Sequence, residues 1–391
     1  MKILIASDTY YPHVNGASYF TQRLAHSLQQ RGHTVLVIAP SRTRQPESFT
    51  HENVAIYGVP TLPFVIHQNF RFASPFKLKR INEVVTDFKP DIVHIQGHFP
   101  ISRKVGHVAK QLHIPLMATN HFMPENLLVY LPVPIFFKNV LKKWAWADFR
   151  RIFKDINIVT TPTITAATLL QRVGLPQKIE ALSCGIDTAI FHPNHKNKDL
   201  KKKYHIPDKP VLLYVGRLDK EKNIDSLLKA VALITPPVRP HFVIAGQGAE
   251  KDSLVKLVSE LDLEADVTFT GFIPNQELPV IYTMADCFII AGIAELQSIA
   301  TMEAMASGLP VIAVNAVALP ELVHHGKNGY LFNLDNLNQL KDYIQTITSK
   351  PELRQSMSQH SLSIIQKHDS KRVITLYEKL YARAIARPSV A

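Results

Sequence analysis

Along this chain, runs of aliphatic and β-branched residues alternate with amphipathic stretches, in two successive series separated by a polar, lysine-rich interval. A strand that is followed by a helical pattern and then another strand returns to its sheet through a crossover, so the pairing is parallel and helices cover both faces. The first series opens with Lys2 to Ser7, a helical pattern from Ser18 to Gln30 and a strand from Thr34 to Ala39, with Gly32 where a helix C-terminal cap belongs. Further strands read at Ile92 to Gln96, Leu116 to Thr119 and Ile156 to Thr160. The interval from His192 to Lys209 breaks the pattern, and its lysine run at 201–203 reads as a solvated face. The second series has strands at Val211 to Val215, His241 to Ala245, Val267 to Thr270, Cys287 to Ala291 and Pro310 to Val314. Helical patterns connect them at Asn223 to Ile234, Glu250 to Leu261, Glu277 to Met284 and Ala300 to Ala306, and everything from Leu337 onward reads as helical. The expected organisation is α/β throughout: a doubly wound N-terminal half over 1–195, a linker over 196–209, a C-terminal half over 210–370, and a last helix, 371–391, crossing back to the N-terminal half.

Size and composition agree with two cores. A chain of 391 residues exceeds the usual single-core size, and 46% apolar with 19% charged residues is a folded rather than a disordered balance. Lys and Arg exceed Asp and Glu by 44 to 32, a formal net charge of +12, which calls for an anionic partner: a phosphorylated substrate, a bilayer surface or nucleic acid. Against nucleic acid, no RNA-binding motif is present and the cations are spread along the chain. Cys184 and Cys287, far apart in apolar contexts, support neither a disulfide framework nor a thiolate metal site. The N-terminus runs directly into a strand without signal-peptide architecture. The longest apolar stretch, Leu127 to Phe137, is short and broken by Pro132 and Pro134, so it does not cross a bilayer as a helix. A cytoplasmic location with peripheral membrane contact is expected.

Three segments carry the chemistry. Glu295 and Glu303 frame the sequence ELQSIATME, with the second glutamate expected in the first turn of a helix, where backbone N–H groups favour phosphate and a carboxylate can accept hydrogen bonds from sugar hydroxyls. After the strand ending at Val215, the turn GRLDKEKN presents Arg217 and Lys222 just before a helix, suited to neutralising a diphosphate as it leaves. Gly246 and Gly248 end another strand and permit close backbone approach to a ligand. Singly, each has an ordinary reading: an acidic first turn, a charged loop, a glycine turn.

Taken together and in order, the motifs resemble glycosyltransferase family 4 of the GT-B fold, whose signature is a Glu-x7-Glu element. The resemblance also draws on the opening DTYYP with Asn15-Gly16, the strand Pro90 to His94, Gly185-Ile186-Asp187, Phe191-His192-Pro193 and EAMASGLPVIA. It implies two Rossmann-like parallel-sheet domains facing a central cleft, an N-terminal acceptor domain and a C-terminal nucleotide-sugar domain, with C-terminal helices. It implies that Glu303 binds the donor ribose and Glu295 the transferred hexose. Arg217 and Lys222 would clamp the diphosphate, with amides of Ser298, Ile299 and Gly16, and Gly246 and Ile273 would complete the donor pocket. His121, in TNHF, matches the histidine beside the reacting centre, so that His121, Glu295, Arg217 and Lys222 form the catalytic set. It further implies retention of anomeric configuration. The donor would be a nucleotide-diphosphate sugar, with no tightly bound cofactor, and the sequence carries no Asp-x-Asp metal motif. Two departures stand out: Gln297-Ser298 where many relatives have Phe-Gly, and Ser183-Cys184 where they have Pro-Asn. The glutamine is similar to the diacylglycerol glucosyltransferase branch.

The acceptor region follows His121. HFMPEN, with Met123 and Glu125, resembles the lipid-glucosyltransferase pattern, and an aromatic, basic helix follows. On a helical wheel Phe137, Val140, Leu141 and Trp144 share one face, while Lys142, Lys143, Arg150 and Lys154 gather on another with Trp146 among them. Such a helix suits either an anionic bilayer surface or a packed position with a basic edge. The expected function is transfer of a hexose, glucose from UDP-glucose, to a membrane lipid such as 1,2-diacylglycerol at the inner face of the cell membrane. The alternatives are a soluble family 4 enzyme acting on a small molecule or polysaccharide, and a non-catalytic basic protein that binds nucleotide sugar.

Overall fold

The structure, a computed structural model, describes residues 1–12, 15–43, 45–63, 71–73, 78–122, 134–195 and 198–386. The chain forms two compact units, Met1–Cys184 with Arg372–Ala391, and Gly185–Lys371.

Among the described residues, the first unit is built on an eight-stranded sheet. From edge to edge the strands are Ile179–Ala181, Ile158–Thr161, Leu116–Thr119, Ile92–Ile95, Lys2–Ala6, Thr34–Pro40, Val54–Val59 and Glu47–His51. All pair in parallel except the last two, whose antiparallel hairpin turns through Glu52 and Asn53, both with positive φ. The central strands are buried on both faces, which is why they read as unbroken apolar runs. The second unit has a six-stranded sheet in the order Val267–Gly271, His241–Ala245, Val211–Val215, Cys287–Ile290, Val311–Val314 and Gly329–Phe332, parallel throughout.

The first unit ends at Cys184, and the Gly-Ile-Asp segment after it belongs to the second. There the Ile186 amide donates to the His368 carbonyl at 2.8 Å and the Thr188 hydroxyl to the Asp369 carboxylate at 2.7 Å. The described part of the expected linker is packed: Lys198–Lys203 is a short helix, and Lys203 Nζ and Tyr204 Oη both reach the Glu277 carboxylate at 2.7 Å. The helical tail is three helices, Leu337–Ser349, Pro351–Ile365 and Ser370–Ala386. The last packs into the first unit, burying Tyr377 and Tyr381 completely. Against the effect of burial, hydrogen bonds from His33 at 2.9 Å and Arg31 at 2.6 Å hold the Glu378 carboxyl of this helix below its ordinary range.

Side-chain caps fix several helix starts: Asn15 Oδ1 accepts from the Ser18 amide at 2.9 Å, and Ser298 Oγ from the Thr301 amide at 3.2 Å. Helix Pro100–Gln111 has no such cap of its own. Asp8, from the DTYYP segment, supplies one across the sheet, accepting from the Ile101 amide at 2.8 Å and the Ser102 amide at 3.2 Å. Replacing it leaves buried amides without an acceptor, so Asp8→Ala is expected to destabilise the first unit by about 2 kcal/mol. The check is the unfolding transition of that unit in urea, which moves to lower concentration.

Candidate functional site

In the second unit the carboxyl ends of three neighbouring strands carry the expected donor residues. Strand Val211–Val215 leads into Gly216–Leu218, and strand His241–Ala245 into Gly246–Gly248, and the two loops lie backbone against backbone. The Leu218 amide donates to the Gln247 carbonyl at 2.9 Å and the Glu250 amide to the Leu218 carbonyl at 2.9 Å. A Cβ on Gly246 would fall 1.8 Å from the Gly216 carbonyl oxygen, and one on Gly248 2.3 Å from that of Leu218. The close approach these glycines permit is thus to the neighbouring loop.

That loop presents the cations already partnered. Arg217 donates through Nη1 to the buried Asp219 carboxylate and through Nη2 to Glu221 Oε1 at 2.9 Å. Lys222 closes a short 3-10 turn, Lys220–Lys222, and Asn223 follows in the left-handed conformation with φ 49°. The Asn223 side-chain amide bridges the Glu221 and Ala291 carbonyls at 3.2 and 3.0 Å, tying the turn to the end of strand Cys287–Ile290. Lys222 Nζ then reaches Glu295 Oε1 at 2.6 Å, with the two side chains only 16% and 15% exposed.

Helix Ile299–Ala306 begins at the Ser298 cap, so Glu303 lies in its second turn and not, as its sequence context suggested, in the first. Its carboxylate accepts from Tyr282 Oη at 2.8 Å. Burial, and then the Glu303 carboxylate, push the Tyr282 phenol well above its usual range, so it remains a donor. Tyr214 joins these groups: its hydroxyl donates to the Arg217 carbonyl at 2.7 Å, and beyond burial its ionisation is opposed by Glu295 and Glu221. Lys222 thus meets Glu295 directly, Tyr214 holds the Arg217 carbonyl and Tyr282 is bonded to Glu303, while the two phenols feel each other and the nearby carboxylates electrostatically. Asp219, Tyr214 and Tyr282 were not among the sequence candidates; Asp219 had a signal in GRLDKEKN, while the tyrosines sit in strand and helix positions that look like core. Ile273 is buried just after strand Val267–Gly271. A cavity of about 210 Å³ in this unit, beside Asp286, Gly308 and Arg354, includes none of the expected donor residues.

In the first unit, Gly16 is exposed at the N-terminus of helix Gly16–Gln30, where the opening amides have no partner within the helix. His121 follows strand Leu116–Thr119 and keeps part of its surface open, with its ring 4.8 Å from that of Phe20. Its Nε2 lies 2.9 Å from Gln96 Oε1, and burial pushes its imidazolium down to about 4. Behind it the fully buried His94 is pushed down to about 3, first by burial and then by His121, and His98 to about 4. Met123 and Glu125 lie outside the described residues.

Helix Ile135–Phe153 divides into two parts. In the N-terminal part Phe136, Phe137, Val140, Leu141 and Trp144 are exposed, Phe136 at 70% and Trp144 at 68%, with exposed Lys142 and Lys143 alongside. In the C-terminal part Phe149 and Phe153 are buried and stacked at 4.1 Å. Trp146, expected among the surface cations, instead turns inward to Phe149 at 5.4 Å, because its position falls on the core stripe of this second part. Arg150 remains exposed. Beside this part lies a cavity of about 700 Å³, lined by the buried Ile95, Leu116 and Ile156 and by the more exposed cations Arg103, Lys110 and Arg151. Among the described residues no helix is long and apolar enough to cross a membrane.

Residues 14–190 match the family described as Glycosyltransferase Family 4, and residues 196–362 match Glycosyl transferases group 1. Over 384 residues the chain is 27% identical to the alpha-monoglucosyldiacylglycerol synthase of Streptococcus pneumoniae, covering 96% of this chain and 85% of that protein. It is 28% identical to a GDP-mannose-dependent alpha-mannosyltransferase of Mycolicibacterium smegmatis over 86% of this chain and 85% of the relative. Among solved structures, the Anabaena protein HepE in complex with UDP-glucose superposes with a TM-score of 0.77 at 18% identity, over 98% of this chain and 100% of that one, a likeness of fold.

Two outcomes follow from these geometries. Gly246→Ala forces the Gly216 carbonyl to move, and a loss of about 2 kcal/mol or more is expected in the unfolding of the second unit. The buried histidines make the first unit acid-sensitive. His94, His98 and His121 are neutral when folded, whereas the unfolded chain protonates them below about pH 6.5. Stability is therefore full above that pH and falls as pH drops toward 4, by about 1.4 kcal/mol per pH unit for each histidine. Melting temperatures at pH 7.5 and 5.0 check this, and His94→Gln should weaken the dependence.

Proposed function

This chain belongs to glycosyltransferase family 4 of the GT-B fold, and we propose that it moves glucose from UDP-glucose onto the hydroxyl of a membrane lipid, 1,2-diacylglycerol, with retention of configuration. The observation that carries the reading is the Lys222–Glu295 pair at 2.6 Å at the strand ends that also carry Arg217, held by Tyr214, with Glu303 held by Tyr282. It supports a reading in which these carboxylates accept from sugar hydroxyls and the cations neutralise phosphate. In this reading a diphosphate shares Lys222 with Glu295 and takes the guanidinium N–H groups that Arg217 has left over from its two carboxylates. Glu295 and Glu303 accept hydrogen bonds from hexose and ribose hydroxyls, and the helix start at Ser298 and Ile299 turns backbone amides to the phosphate.

The chemistry needs no protein nucleophile. The bond from the anomeric carbon to the diphosphate oxygen breaks while the acceptor oxygen bonds that carbon from the same face. The departing phosphate oxygen takes the acceptor proton. Charge grows on the diphosphate in this step, so the two cations act where the transition state needs them. His121 contributes beside the hexose.

The lipid acceptor is supported by the exposed apolar face of Phe136 to Trp144 with its lysines, by the neighbouring apolar cavity with a cationic edge, and by the name of the pneumococcal relative. An amphipathic face of this kind holds a protein at an anionic surface without spanning it, which suits the inner face of the cell membrane. Labelled UDP-glucose, offered with anionic liposomes containing diacylglycerol, is expected to give a glucolipid, and Lys222→Ala to lower kcat about a hundredfold or more. In flotation, Phe136→Ser with Trp144→Ser should release the protein from liposomes without changing its melting temperature. Transfer to soluble acceptors alone overturns the lipid reading, and transfer only from GDP-mannose overturns the donor.

A further inference from the structure

A directed chain of hydrogen bonds runs beneath His121, and its polarity can be followed from one end to the other. At the far end the Thr160 hydroxyl donates to the Ala118 carbonyl at 3.3 Å. Its proton is spent there, so in the 2.7 Å contact between Thr119 and Thr160 the Thr119 hydroxyl is the donor. Thr119 Oγ1 is then an acceptor for His94 Nε2, 2.7 Å away, which makes His94 the Nε2–H tautomer. Its Nδ1 carries the lone pair, and Tyr381 Oη, on helix Ser370–Ala386, donates to it at 2.8 Å.

Gln96 is the next link. It follows strand Ile92–Ile95 and is 6% exposed. Its side-chain nitrogen lies 3.2 Å from both ring nitrogens of His94. Equidistant from the two nitrogens, this group lies over the imidazole face, where an N–H meets the ring's π electrons and an oxygen would be repelled by them, so the NH2 group belongs there and Oε1 is turned to His121. A carbonyl oxygen only accepts, and it sits 2.9 Å from His121 Nε2.

We propose that Gln96 is a positioning residue for His121: it holds the imidazole as the Nε2–H tautomer and leaves Nδ1 as a hydrogen-bond acceptor for a hydroxyl of the bound hexose. This rests on the reading of His121 given under the proposed function. The logic is that of a ligand-orienting partner, in which the bond made by one ring nitrogen decides what the other can do. The consequence is a matched direction of hydrogen bonding: His121 receives from the sugar and cannot donate to it. An apolar contact reinforces the placement, since Phe20 packs against both His121 at 4.8 Å and Tyr377 of the C-terminal helix at 5.7 Å.

Nitrogen-15 NMR of the full-length protein at neutral pH tests the tautomer directly. The expected spectrum has His121 Nε2 protonated and Nδ1 bare; a protonated Nδ1 overturns the proposal, whatever the enzyme's activity. Kinetics test the positioning role. Gln96→Leu, which removes the acceptor, should lower kcat by about tenfold or more with little change in donor KM, and Gln96→Glu, which keeps an accepting oxygen, should recover most of the loss. Equal losses in the two variants, or none in Gln96→Leu, overturn it. If the wild-type protein transfers no hexose at all, the functional reading fails while the NMR result still decides the tautomer.

Discussion

The site in the second unit depends on two missing side chains. Because Gly246 and Gly248 carry no Cβ, the loop after strand His241–Ala245 can lie directly on the loop after strand Val211–Val215, carbonyl against α-carbon. This contact, and the left-handed Asn223 that pins the turn to Ala291, fix the backbone from which Lys222 meets Glu295. The charges come second. Arg217 is held by Asp219 and Glu221 and Lys222 by Glu295, so both cations are paired before anything binds. A cation held this way is already oriented, and its partners are hydrogen-bonded rather than stripped of water without compensation.

Much of the architecture was legible because parallel sheets buried on both faces leave an unmistakable imprint. Strands Leu116–Thr119, Val211–Val215 and His241–Ala245 lie where their apolar runs begin and end. Of the strands that escaped notice, Glu47–His51, Ile179–Ala181 and Gly329–Phe332 lie at sheet edges, where one side needs no apolar cover and the pattern thins, while Val54–Val59 lies one strand in from the edge. In the site, Glu295, Glu303, Arg217 and Lys222 could be picked out as charged residues at strand ends. Their partners could not, because Tyr214 and Tyr282 belong to a strand and a helix and become site residues only once Val211–Val215 is known to neighbour Cys287–Ile290. Gln96 escaped for a similar reason: its nearness to His121 is a consequence of Ile95 pairing with Ala118.

Helix Ile135–Phe153 shows how a single hydrophobic pattern can serve two environments in turn. Read as one helix its apolar residues wrap around the axis, which points neither to a core nor to a surface. Divided near Trp144, the pattern resolves into an outward apolar stripe and an inward one, with Trp146, Phe149 and Phe153 anchoring the helix so that the first half can stand exposed. The anchored half is what makes exposure of the other half sustainable, since large apolar side chains left to themselves would collapse onto the nearest groove.

The helix at the end of the chain has a consequence for biosynthesis. Tyr377 and Tyr381 fill the interior of the first unit, and Glu378 binds Arg31 and His33 near the N-terminus. A domain ordinarily matures as soon as its own residues leave the ribosome. Here the strands of the first unit are made before helix Ser370–Ala386, whose tyrosines fill that unit's interior, so the first unit closes only after the second has been synthesised. His94 acquires its tyrosine partner only once that helix is made, and removing the helix leaves the earlier unit, not the later one, unfinished.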